Sequence, residues 1–101
     1  MNRIWHTDVV ALSTTGTQVL TSAKVGGFEA NAGFSVYVWS DSNFRVGVNG
    51  TGTGITTGAT ITANKWHCVG NAPNAVKLYF ASTTGTPDMR IMVTEGYLHG
   101  V

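Results

Sequence analysis

Apolar and polar positions alternate with a period of two in four separate runs of this chain. Phe34, Val36 and Val38 alternate with Ser35, Tyr37 and Trp39. Phe44, Val46 and Val48 alternate with Arg45 and Gly47, Val76, Leu78 and Phe80 with Lys77, Tyr79 and Ala81, and Met89, Ile91 and Val93 with Arg90, Met92 and Thr94. A period of two puts the sets on opposite faces of a strand. Weaker strand candidates are Thr7 to Leu12, Gln18 to Ala23, Phe28 to Ala30, Ala59 to Ala63 and the stretch in which Trp66 and Cys68 flank His67. Turn-forming clusters separate the runs: Ser13 to Thr17, Gly26-Gly27, Asn31 to Gly33, Ser82 to Asp88, and Ser40 to Asn43, which reads as a hairpin turn. Asn71 to Asn74 reads as a turn whose Pro73 is hostile to a helix. Asn49 to Gly58 reads as a long hairpin or edge loop.

No window combines helical apolar spacing with caps at both ends. The pattern predicts an all-β fold: an antiparallel β-sandwich or jelly roll of seven to nine short strands. The expected inward set is Val9, Ala11, Leu20, Phe28, Phe34, Val36, Val38, Phe44, Val46, Val48, Ile61, Trp66, Cys68, Val76, Leu78, Phe80, Ile91 and Val93. Tyr37, Trp39 and Tyr79 fall on the opposite faces.

A length of 101 residues suits a single domain spanning residues 1–101. Charged residues make up only 11% of the chain, with Thr, Asn and 13 glycines in their place. So neutral a surface is poorly protected against association, which points to life in an assembly. The net charge of +1 is scattered, with no basic stripe for a phosphate backbone, so no nucleic-acid partner is expected. The single cysteine, Cys68, rules out a disulfide within the chain and suits synthesis in a reducing cytoplasm. The start, Met1 to His6, lacks the apolar run of a signal peptide, and no segment has membrane-spanning length. Neither secretion by the usual route nor a membrane partner is therefore expected.

The search for chemistry returns no catalytic, metal or cofactor site. His6, His67 and His99 have no metal-ligand spacing. Asp8, Glu29, Asp41, Asp88 and Glu95 present no carboxylate pair that the sequence singles out. The glycines of Asn49 to Gly58 are followed by β-type sequence, not by the helix of a phosphate loop. An enzyme is not expected. A cleft joining Asp8 to His6 or His99 would reopen the question.

The aromatic residues are the remaining signal. Trp and Tyr are enriched at protein interfaces, and coplanar rings on a sheet face also stack on sugars. Tyr37, Trp39 and Tyr79 are the contact candidates on the strands, although a second sheet or a folded tail could cover the same rings.

Residues 17–94 also carry a family likeness. Gln18 to Ser22 (QVLTS), Gly27 to Val38 (GFEANAGFSVYV), Gly54 to Ala63 (GITTGATITA) and Val76 to Met92 (VKLYFASTTGTPDMRIM) follow one another in order. This is similar to small β-sandwich virion proteins of tailed bacteriophages. The resemblance implies a capsid decoration, or cement, protein made in the host cytoplasm and placed on the virion surface. Its partners would be the major capsid protein or other virion subunits. It would work as a homo-oligomer, a trimer being one arrangement around a symmetry axis. The likeness covers neither Met1 to Gly16 nor the tail from Gly96, and it brings no functional residues with it. Those uncovered ends, residues 1–6 and 96–101, are expected to be docking arms, through Arg3, Ile4, Trp5 and His6 and through Tyr97, Leu98 and His99. The alternative is a carbohydrate-binding or host-adhesion module using its exposed aromatic rings on a glycan.

Overall fold

The computed structural model describes residues 3–16, 18–28, 30–47 and 59–96. Seven strands run β1 (Arg3–Ala11), β2 (Phe34–Ser40), β3 (Phe44–Gly47), β4 (Ala59–Ile61), β5 (His67–Asn71), β6 (Tyr79–Ser82) and β7 (Asp88–Glu95). They form two antiparallel sheets, of order β1-β7-β2-β5 and β4-β3-β6. The expected all-β sandwich is therefore the observed fold.

The core lies between the sheets. β2 is rich in β-branched and aromatic residues, which suit a pleated surface packed on both sides. Its Val36 and Val38 lie opposite Val93 and Ile91 of β7. These four pack with Met89, with Phe44 of β3 and with Phe80 of β6, all of them buried. The rings of Phe44 and Phe80 have centroids 6.1 Å apart. Leu12, Leu20 and Val25, from the connection between β1 and β2, complete one side of the core. Polar groups buried at strand ends are hydrogen-bonded, as burial demands. The Ser40 hydroxyl donates to the Asp88 carbonyl at 3.0 Å, and the Thr94 hydroxyl to the Gly96 carbonyl at 2.7 Å.

Several local expectations are corrected. Ser40 to Asn43 does not make a hairpin: β2 pairs with β5 and β7 while β3 pairs with β4 and β6, so this turn carries the chain from one sheet to the other. The link from β6 to β7 does the same. Gln18 to Ala23 is not a strand, because the chain there folds into turns held by Lys24 and Val25 N–H groups donating to the Thr21 carbonyl. Asn71 to Asn74 is not a plain turn either. A one-turn helix, α1 (Ala72–Ala75), is capped by the Asn71 side chain, which accepts from the Asn74 N–H at 3.2 Å. Pro73 sits in its first turn, where a missing N–H breaks no helical bond. Ala72 and Ala75 of this helix join the core. Val76 to Leu78 precede β6 instead of belonging to it.

Within the inward set, Leu20, Val36, Val38, Phe44, Phe80, Ile91 and Val93 are buried, and Phe28, Phe34, Val46, Ile61, Val76 and Leu78 pack against that core. Val9, Ala11 and Cys68 are exposed instead. Val48 and the Asn49 to Gly58 segment lie outside the described residues.

Candidate binding face along strand β1

The phase of β1 decides which of its side chains meet solvent. Its register with β7 sets His6 opposite Val93, Asp8 opposite Ile91 and Val10 opposite Met89. Residues directly opposite share a face, so His6, Asp8 and Val10 point to the inner side of the sheet. Thr7, opposite Met92, and Val9, opposite Arg90, point outward. An irregularity between Ile4 and His6 inserts Trp5 as an extra residue. The Trp5 ring meets Phe28 and Phe34 edge-on, at 6.5 and 6.1 Å, while those two rings stack on each other at 4.4 Å.

The outer face of this sheet carries a groove of about 540 Å³ whose lining includes Ile4, Thr7, Val9, Trp66, Arg90 and Met92. Beside it, Ile4, Trp5, His6 and Thr7 line a second hollow of about 360 Å³. Ile4 is 57% exposed, Trp5 45% and Val9 51%, and among the described residues these are the exposed large hydrophobic side chains. All three belong to β1.

Charge on this strand is local. Asp8 accepts the Val9 N–H at 2.7 Å, and its other oxygen lies 3.5 Å from the Lys24 ammonium. The carboxyl is held below its ordinary 3.8, first by the Val9 N–H, against an opposing desolvation, and then by Lys24 and His6. His6 therefore does lie near Asp8, the pairing that would reopen catalysis. A depressed carboxyl does not act as a general acid, and the Asp8 carboxylate is engaged by the Val9 N–H and Lys24. The His6 imidazole lies against Gly26, and its Nε2 is buried without a hydrogen-bond partner among the described residues. Among those residues no three of His, Cys, Asp and Glu gather as a metal site, and no helix is long and apolar enough to cross a membrane.

The contact candidates read from the sequence are dispersed. Tyr37 is fully buried, flanked on its face by Met92 and Cys68. Trp39 is half-buried under the Arg90 guanidinium, 4.8 Å from the ring centroid, because the register places them side by side. Tyr79 belongs to the other sheet, opposite Gly47. Arg3, Ile4, Trp5 and His6 do come together, as the first half of β1 paired to β7, which makes them a strand edge and not a free arm. Tyr97, Leu98 and His99 lie outside the described residues. The groove residues Val9, Trp66, Arg90 and Met92 were not legible as a site. Val9 and Trp66 look like core by alternation; register with β7 brings Val9 beside Arg90, and the fold brings Trp66 to the same groove.

No family model, no curated protein and no solved structure matches this chain.

Proposed function

We propose that this chain is a structural virion protein of the capsid decoration type, which docks on an assembled phage shell through the outer face and edge of β1. The observation that carries the reading is the concentration of exposed Ile4, Trp5 and Val9 on one strand beside the groove. Exposed large apolar groups gathered on one element are the usual mark of a surface that another protein covers. The low charge of the chain points the same way. The partner is the major capsid protein or a neighbouring virion subunit. Contacts that exist only on the finished shell would shift the equilibrium towards it by mass action.

The glycan reading draws less support. Of its three rings, Tyr37 is buried, Trp39 is covered by Arg90, and Tyr79 is on a different sheet.

The test is composition of purified particles. Virions banded by density should contain this chain in fixed stoichiometry with the capsid subunit. Trp66→Ala and Val9→Asp should lower its occupancy on shells to which purified protein is added back. Absence of the chain from particles, or occupancy indifferent to both substitutions, would overturn the proposal.

A further inference from the structure

We infer that the groove on the outer face of the sheet takes an acidic side chain flanked by an apolar one: the carboxylate seats on Arg90 while its apolar neighbour fills the trough between Val9, Trp66 and Met92. The inference rests on the shell reading for the identity of the partner. It deepens that reading by naming the chemistry of the segment the partner presents.

Register places the charge. On the outer face, Val9 of β1, Arg90 of β7 and Trp39 of β2 lie side by side in one row. The next row is Thr7, Met92 and Tyr37. Arg90 therefore stands on an inner strand of the sheet, between two large apolar side chains, in the wall of a groove of about 540 Å³.

The guanidinium is exposed and lies 4.8 Å from the centroid of the Trp39 ring. A cation–π contact steadies the group without consuming its hydrogen-bond donors, of which a guanidinium has five. Among the described residues Arg90 makes no ion pair.

The acidic groups nearby do not neutralise it. Asp8 also lines the groove, but its oxygens are taken by the Val9 N–H and the Lys24 ammonium. Asp88 shares the outer face of β7, but it lies opposite Ala11, one row beyond Arg90, and outside the groove lining. The charge left uncompensated in the groove is the Arg90 cation.

A carboxylate matches the guanidinium fork with two parallel, charge-assisted hydrogen bonds. Once an apolar side chain fills the groove and displaces water, that pair is screened less than a bare surface pair. A basic segment would meet like charge here. A phosphate backbone is held by several cations in succession, whereas this groove is lined by one.

The test titrates the full chain with small probes, followed by amide NMR. Phenylacetate should shift the Val9, Arg90 and Met92 signals saturably and bind about threefold more tightly than phenylacetamide, its neutral counterpart, as an exposed ion pair supports. Benzylamine, of opposite charge, and inorganic phosphate, without the ring, should give no saturable shift. Arg90→Gln, with its circular dichroism spectrum unchanged, should bring phenylacetate down to the level of phenylacetamide. On shells, Arg90→Glu should lower occupancy about tenfold. Equal affinity for phenylacetate and phenylacetamide, a difference that survives Arg90→Gln, or phosphate bound as well as phenylacetate would overturn the inference. Absence of the chain from virions would remove the shell reading and leave the groove's preference standing. Undiminished occupancy of shells by Arg90→Glu would remove the groove's acidic partner and leave the shell reading standing.

Discussion

Val9 and Val36 are the same residue type, both placed in the core by alternation, yet one is 51% exposed and the other fully buried. Truncating each to Ala therefore isolates what burial contributes. At Val36, two carbon groups leave a packed environment, which costs about 1.6 kcal/mol at 0.8 kcal/mol per group. The void left behind, a few tens of Å³ at about 24 cal/mol per Å³, adds roughly 1 kcal/mol. Val36→Ala should thus lose about 2–3 kcal/mol of the roughly 5–15 kcal/mol such a domain has in total. Val9→Ala removes the same atoms from a groove wall open to water, so the cost should stay within about 0.5 kcal/mol. Urea unfolding followed by tryptophan fluorescence reads both. With a slope of about 1–3 kcal/mol per molar, Val36→Ala should move the midpoint by about 1 M or more and Val9→Ala barely at all. Midpoints shifted equally by the two substitutions would refute the phase assigned to β1, and with it the binding face.

Three further outcomes are expected. Gly26 has φ +70°, and a Cβ built there would lie 2.9 Å from the His6 Cγ, whereas Gly27, at φ +80°, has open space around it. Both Ala substitutions should cost about 1–2 kcal/mol for the left-handed backbone, and Gly26→Ala should cost measurably more, an excess that His6→Ala, which keeps only the Cβ, should relieve in part in a double-mutant cycle; equal costs would rule out the close approach. Cys68 is exposed, so a thiol reagent should label it fully in the native state, and labelling that waits for denaturant would contradict its outward position. Asp8 has a depressed pKa, so its contribution to stability is present above its unfolded value of 3.8 and is lost as pH falls through the lower folded value. The stability difference between wild type and Asp8→Asn should accordingly be constant near neutrality and vanish in acid; a difference that persists below the folded pKa would show that the carboxylate's charge is not its source.

The β class and most of the core were legible in the residue order, because strand alternation is a local property. Phe34 to Trp39 and Met89 to Thr94 declare one buried face each, and Val36, Val38, Ile91 and Val93 fill the core as that reading requires. β1 was ambiguous for a physical reason. Val9 and Val10 are adjacent apolar residues on opposite faces, so period two fits either phase, and only hydrogen-bonded register with β7 chooses Val10. Tyr37 shows the same limit from the other side. Its outward position is a matter of alternation, but its burial depends on neighbours, since β2 is flanked by both β7 and β5. Sheet membership could not be read from turns at all, because the short link at Asp41 to Asn43 looks the same whether it closes a hairpin or steps between sheets. What the residue order determined by itself was an all-β chain, poor in charge, with alternating strands around one core. Tertiary structure alone decided that, among the described residues, the exposed large hydrophobic side chains Ile4, Trp5 and Val9 gather on one edge strand, because register and strand order are properties of pairs of segments and are written in neither one.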